Sequence, residues 1–219
     1  TVFGADPAAE AQFTITPEGV QITEGKITGT ETLALNGGIS FEQGVSVDLQ
    51  IVFGGYDIKT TINLENNVLT ASNLDVQGIA GNLKGTLSYD QGSGALGGTL
   101  ILQSGEAYRI TANVSGNAER PVFEGAIEGA TPVPYQFAYS GYANFEPTPT
   151  VIFESFQGQF AGNNLRLQQQ ASFTLEEEII RLAPATFALE GGMLTIEGRL
   201  AGEQLTVQAS GENLPTDLN

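Results

Sequence analysis

The run Val45-Ser-Val-Asp-Leu-Gln-Ile-Val-Phe53 limits the possible folds more than any other feature of this chain. Val45, Val47, Leu49, Ile51 and Phe53 alternate with Ser46, Asp48 and Gln50. In an extended strand successive side chains point to opposite faces, so this run has one dry face and one wet face. The same period returns at Ile58/Thr60/Ile62/Leu64, Leu83/Gly85/Leu87/Tyr89 and Tyr108/Ile110/Ala112/Val114. It returns again at Tyr135/Phe137/Tyr139, Leu194/Ile196/Gly198/Leu200 and Leu205/Val207/Ala209. Turn signals separate the runs: Asn36-Gly37-Gly38, Gly54-Gly55, Glu65-Asn66-Asn67, Asp90 to Gly94, Ser115-Gly116-Asn117 and Gly191-Gly192. A strand followed by a short turn every roughly 8 to 12 residues is the rhythm of an antiparallel meander. An all-β chain is expected.

Helix signals are few. Thr174 and Glu177 mimic a capping box in Thr174 to Leu182. Phe173 and Leu175, then Ile180 and Leu182, read instead as two strands around an acidic turn at Glu176 to Glu178, and the hairpin is the preferred reading. Thr131-Pro-Val-Pro134 and Glu146-Pro-Thr-Pro149 bracket the aromatic strand Tyr135 to Phe145. Pro is confined to the edges and loops of sheets, so 131–149 is the expected place for an interruption. Thr1 to Glu10 reads as a loose leader and 11–219 as one β-repeat region. The abrupt start and stop read as a processed or excised chain.

Composition excludes much chemistry. The 219 residues hold no Cys and no His. Zinc sites of the usual kind, Cys or His nucleophiles and Ser-His-Asp triads are therefore out of reach, and so are disulfides. Eight Lys and Arg face 25 Asp and Glu, for a net charge of −17. The cations Lys26, Lys59, Lys84, Arg109, Arg120, Arg166, Arg181 and Arg199 are scattered, which argues against nucleic acid as a partner. Carboxylate pairs of the glycosidase kind can be nominated at Asp75 with Asp90 or Glu124 with Glu128. Nothing marks one pair above the other, and the chain is read as non-catalytic, without cofactor or metal. Asn113-Val-Ser115 is a formal glycosylation sequon.

Two stretches repeat each other. Asn82 to Tyr89, a Gly-rich turn and Leu96 to Leu102 match Gly192 to Leu200, a Gly turn and Gln204 to Ala209. Repeated meander units suggest an elongated stack. The longer stretch from Phe187 to Pro215, with its Gly-Gly hairpin, following strand and Leu-Pro element, resembles the repeating unit of the TamB/AsmA-like proteins. Val68 to Leu102 resembles it more loosely. The departure is Thr216, where an aliphatic residue is usual.

That resemblance implies an elongated antiparallel sheet curved into a half-pipe, or β-taco, with an apolar groove. It implies a periplasmic place in a Gram-negative envelope, an inner-membrane-anchored parent and a role in outer-membrane biogenesis. The implied ligand is the acyl chains of phospholipids, and the implied protein partner, reached through other parts of the parent, is a TamA-like outer-membrane barrel. The groove-lining residues would be Val45, Val47, Leu49, Ile51, Phe53, Ile62, Leu64, Leu87, Ile110, Phe137, Leu194, Ile196, Leu205 and Val207. Periodicity alone favours a closed β-sandwich or barrel, in which the same faces fill a core. A structural or adhesive secreted β-repeat without ligand is the alternative function.

Overall fold

The computed structural model describes residues 8–28, 32–40, 45–78, 81–105, 107–176, 179–202 and 204–214. Residues 1–7 of the expected leader, Glu177 and Glu178 of the acidic turn, and Pro215 to Leu218 of the terminal motif lie outside them. The chain is all-β. It divides between Ser104 and Gly105 into two compact units.

The first unit contains β1 (Ala8–Thr16), β2 (Gly19–Thr28), β3 (Thr32–Ser40), β4 (Val45–Phe53), β5 (Tyr56–Glu65), β6 (Val68–Gly78), β7 (Gly81–Asp90) and β8 (Leu96–Ser104). Each pairs antiparallel with the next. The second contains β9 (Tyr108–Gly116), β10 (Pro121–Gly129), β11 (Tyr135–Asn144), β12 (Thr150–Phe160), β13 (Asn163–Leu167), β14 (Ala171–Glu176), β15 (Ile179–Leu189), β16 (Gly192–Ala201) and β17 (Gln204–Glu212). It is also an antiparallel meander, with one variation. The short strands β13 and β14 lie end to end between β12 and β15, each pairing with both. Thr174 opposite Arg181 and Leu175 opposite Ile180 make the stretch around the acidic turn a hairpin, not a helix.

Four hairpin turns take positive φ, which Gly and Asn tolerate and which Ala161 and Glu190 adopt against their preference. Gly54-Gly55, Asn66-Asn67, Ala161-Gly162 and Glu190-Gly191 all adopt it at both positions, the geometry that matches the twist of a two-residue hairpin. One expected turn does not form. Asn36-Gly37-Gly38 lies within β3, where Gly37 is opposite Ile22 on one side and Leu49 on the other. A β-carbon at Gly37 would run into the backbone carbonyl of Asp48. Gly is used here for close backbone approach, not for reversal. The Pro-flanked stretch 131–149 lies inside the second unit, where β10, β11 and β12 pair in succession.

The sandwich alternative is not what forms within either unit. Successive strands make a single layer, and no large side chain among the described residues is fully buried. A filled sandwich would bury its inner Leu, Ile and Phe. Among the described residues the buried hydrophobics, Tyr139, Ala143, Leu167, Ala171, Ala185 and Leu189, all belong to the second unit.

Bulges interrupt the ladders at Thr23 in β2, the Ser72-Asn73 step in β6, Glu154 in β12 and the Ala183-Pro184 step in β15. A bulge shifts the side-chain alternation by one. Val20 and Ile22 are therefore followed on the same face by Gly25 and Ile27, Ala71 by Leu74, Phe153 by Phe156, and Leu182 by Ala185. Pro184, which has no N–H to give the ladder, sits at such a bulge.

Close approach gives the first prediction. Gly125 has the backbone carbonyl of Thr111 where a β-carbon would stand. Gly97 faces only the movable Ser88 hydroxyl, at 3.1 Å. Gly125→Ala should lower the unfolding free energy by about 1–3 kcal/mol, as overpacking does. Gly97→Ala should stay within about 0.5 kcal/mol. Urea denaturation followed by circular dichroism measures both; equal effects would contradict the assignment.

Candidate functional site

In the first unit the registers join the apolar positions into one face. A row runs across all eight strands: Ile15, Val20, Ile39, Val47, Ile62, Ala71, Leu87 and Gly98. A second row runs Gly25, Leu35, Ile51, Ile58, Val76, Leu83 and Leu102. Between them lie Gly37, Leu49 and Thr60. Thr60 is the polar member, and its hydroxyl donates to the Ser72 carbonyl at the β6 bulge, at 3.1 Å. The large residues of this face are half-buried or exposed, with Phe13 and Ile15 at its rim 62% and 69% exposed.

The wet face holds the charges. Thr61 donates to Asp48 at 2.7 Å and Gln50 to Asp57 at 3.1 Å, while Lys59 pairs with Asp57 at 3.4 Å and Lys84 with Asp75 at 3.7 Å. No Asp, Glu, Lys or Arg among the described residues shares the dry face. The exposed ion pairs contribute little to stability. Their placement keeps charge off the other side.

The second unit has the same two faces and a different lining. Phe123 (β10), Tyr139 (β11), Phe153 and Phe156 (β12), Phe173 (β14) and Phe187 (β15) form a continuous set of ring contacts. Phe123 and Phe153 stand on strands separated by β11, with Gly141 between them in register. Their centroids are nevertheless 5.4 Å apart, against the roughly 9.5 Å of two strand spacings in a flat sheet. The rings close over the glycine.

Tyr139 uses the same device on the other side. Its ring lies across Gly125 of β10, and its hydroxyl donates to the Thr111 carbonyl of β9 at 2.8 Å. One side chain thus ties three strands. Burial pushes the phenol above the ordinary tyrosine value. Beneath the rings, Leu167, Ala171 and Ala185 pack with Phe153, Phe156, Leu182 and Phe187. Leu167 and Ala171 flank Gln168 to Gln170, the exposed break between β13 and β14.

The residues expected to line a groove fall into two sets. Val45, Val47, Leu49, Ile51, Phe53, Ile62, Leu64 and Leu87 share the dry face of the first unit. Ile110, Phe137, Leu194, Ile196, Leu205 and Val207 share that of the second. The bulged strands and the ring cluster, apart from Tyr139 and, at its margin, Phe137, are not singled out by the alternation. Aromatics three apart at Phe153 and Phe156, around Glu154, are the available signal.

The nominated carboxylates do not meet. Asp75 and Asp90 lie toward opposite ends of the β6–β7 pair, Asp75 beside Lys84 and Asp90 opposite Val68. Glu124 and Glu128 lie on the wet face of β10, where Glu128 pairs with Arg109 at 3.2 Å. Asp90 has a structural task, since its carboxylate accepts from the N–H groups of Ser93 and Gly92 and orders the turn. Those bonds hold it below the usual carboxylate range. Among the described residues no three His, Cys, Asp or Glu are grouped to hold a metal ion. Comparison with protein families, curated proteins and solved structures gives no match.

Tyr139→Phe should lower stability by about 0.5–1.5 kcal/mol, the usual net worth of one hydrogen bond. The folded-state value of this phenol lies above the unfolded one. Its contribution is therefore complete below about pH 10 and is lost as pH rises through the folded value. Thermal melts between about pH 9 and 11 should show a steeper loss in the parent than in the Phe variant. Identical pH slopes would mean that Tyr139 is not the buried phenol described.

Proposed function

We propose that the dry face of this chain is the wall of a lipid-conducting half-pipe, a segment of a bridge that carries phospholipid acyl chains across a Gram-negative envelope. The observation that carries the reading is the eight-strand apolar face of the first unit. Among the described residues it holds no Asp, Glu, Lys or Arg, and within the first unit no second layer covers it. Such a face accepts hydrocarbon at roughly 25 cal/mol per Å² removed from water. It offers few of the fixed polar groups that would orient a small, specific ligand.

The half-pipe is supported by where the strands bend. The β2 bulge, Gly37, Thr60, the β6 bulge and Gly85 lie at one level across the first unit. Neighbouring backbone carbonyls occupy the β-carbon positions of Gly25, Gly37, Gly85 and Gly98, on the dry face. In a flat sheet those positions are clear. A neighbouring strand that reaches four such positions on the dry face supports a curve toward that face, while one on the wet face, Gly19, meets the Ile39 carbonyl in the same way. Bulges and glycines at one level are how sheets are curved along their length.

The resemblance of Phe187 to Pro215 and Val68 to Leu102 to the TamB/AsmA-like repeat supplies the cellular setting: the periplasm, a parent anchored in the inner membrane and a TamA-like barrel reached through other parts of that parent. No catalysis is part of the reading.

Leu49 and Gln50 are the test. A photo-crosslinking residue at 49 should capture radiolabelled phosphatidylethanolamine from vesicles, and one at 50 should not. Leu49→Arg should suppress capture by a crosslinker at neighbouring Val47, because a charge among acyl chains is costly to desolvate. Its circular dichroism should be unchanged, since Leu49 is only half-buried. Equal capture at 49 and 50, or none at either, would overturn the reading.

A further inference from the structure

The two ends of the strands differ. In the first unit Tyr56 opens β5, on the dry face with Ile58 and Ile62 and opposite Phe53. Its ring lies where a β-carbon of Gly78 would stand, so it crosses from β5 to β6, and Tyr56 is 40% exposed. The β4–β5 turn at this end is Gly54-Gly55, and Gly78 pairs with Gly81 beside it. At the other end stand Glu18, Glu65 and Asp90. The outermost dry residues there, Val45, Leu64, Leu69 and Leu96, are aliphatic, with Tyr89 the exception. The connections at 29–31, 41–44 and 79–80 lie outside the described residues.

In this unit the cations stand with the tyrosine. Lys26, Lys59 and Lys84 all lie in the half of their strands nearer that end. They offset carboxylates of the same half: Lys26 is opposite Glu10, Lys59 pairs with Asp57 and Lys84 with Asp75. No Lys or Arg among the described residues of this unit stands in the other half, so Glu18, Glu65 and Asp90 leave it negative.

The second unit also gathers tyrosine at one end. Tyr108 opens β9 and Tyr135 opens β11, and one row of the dry face runs Tyr108, Gly129, Tyr135 and Phe160. The Tyr135 ring lies where a β-carbon of Gly129 would stand, and its hydroxyl donates to the Ala107 carbonyl at 3.4 Å. The turns at 130–134 and 160–163 hold no charged residue. Glu190, in the third turn at this end, accepts from the Asn164 N–H at 2.9 Å. Glu119, Glu146 and Glu176 stand at the other end, with Arg120 over the Tyr142 ring and Arg181 beside Glu176.

Strands run across a half-pipe, so their two ends are the two lips of its mouth. A phospholipid whose acyl chains lie on the dry face brings its phosphate out at a lip. We infer that the phosphate headgroup lies along the tyrosine lip. Tyrosine suits a boundary between hydrocarbon and water, because its ring is apolar and its hydroxyl polar. The carboxylates of the other lip repel phosphate. The inference rests on the half-pipe reading above and adds the orientation of the lipid to it.

Two photoreactive lipids in phosphatidylcholine vesicles test this on the parent chain. One is phosphatidylethanolamine with a diazirine on its headgroup nitrogen, and the other carries the diazirine at the end of an acyl chain. Peptide mass spectrometry locates the labelled residues. The headgroup probe should mark 53–56 and 131–135 several times more strongly than 65–67 and 90–94. The acyl probe should mark Val47, Leu49 and Ile62. Glu65 is exposed, and Glu65→Lys should raise headgroup labelling of 65–67 about fivefold. With the dry face marked by the acyl probe, three results would overturn the inference and leave the groove standing: equal headgroup labelling at the two ends, stronger labelling at the acidic end, or a pattern unmoved by Glu65→Lys. A dry face that the acyl probe leaves unmarked would remove the groove and the inference with it.

Discussion

A backbone carbonyl standing where a β-carbon would be is the contact on which this architecture depends. It occurs at Gly25, Gly37, Gly85 and Gly98 in the first unit, and at Gly125, Gly141 and Gly158 in the second. Each site lets one strand come closer to the dry side of its neighbour than any side chain would allow. Alternation alone makes a sheet with a dry face, and that face, left flat, is an aggregation surface. Glycines on the dry face change its shape without adding polar groups to it. The many glycines therefore do more than close turns: inside the strands they also admit close backbone approach.

The two units meet the same constraint differently. In the first, aliphatic residues and one satisfied threonine leave the face uncovered. In the second, rings span the glycines beneath them. Phe123 and Phe153 meet above Gly141, and Tyr139 crosses Gly125 to reach Thr111. Edge-to-face pairs contribute beyond the area they bury, and a phenol that reaches a carbonyl two strands away fixes the spacing of three strands at once. The bulge at Glu154, the Gln168 to Gln170 break and the Ala183-Pro184 bulge sit at one level of β12 to β15. All three serve to bring Leu167, Ala171 and Ala185 under these rings. The second unit is thus the self-packed one, and the dry face of the first is not covered by strands of its own unit.

Regular strands are legible in the sequence. The run from Val45 to Phe53 is β4 to the residue, Asn66-Asn67 marks its hairpin, and the expected Gly191-Gly192 turn falls one residue earlier, at Glu190-Gly191, with Gly192 opening β16. Bulged strands are not, because one extra residue reverses the alternation. Val20 and Ile22 are even and Ile27 is odd; Leu69 and Ala71 are odd and Val76 is even. A period-two scan reads such a strand as two short fragments of opposite phase. Asn36-Gly37-Gly38 misleads for a related reason, since Gly has two uses and local sequence does not say which applies. Close approach depends on Asp48, a residue on the next strand. The ring cluster is hidden too: Gly141 lies between Phe123 and Phe153 only once three strands are in register.

Charge completes the physical picture. A net charge of −17 gives the chain long-range repulsion from its copies and from anionic surfaces, and among the described residues of the first unit no ionised group shares the dry face. Repulsion of this kind falls off within a Debye length and acts on approach, not on contact. Lys59, Lys84 and Arg109 are each tied to a carboxylate on the wet face, so little positive potential is left there to recruit phosphate. What remains available for recognition is then short-ranged and apolar. The dry face offers area without direction, and screening by salt leaves contacts of that kind nearly unchanged.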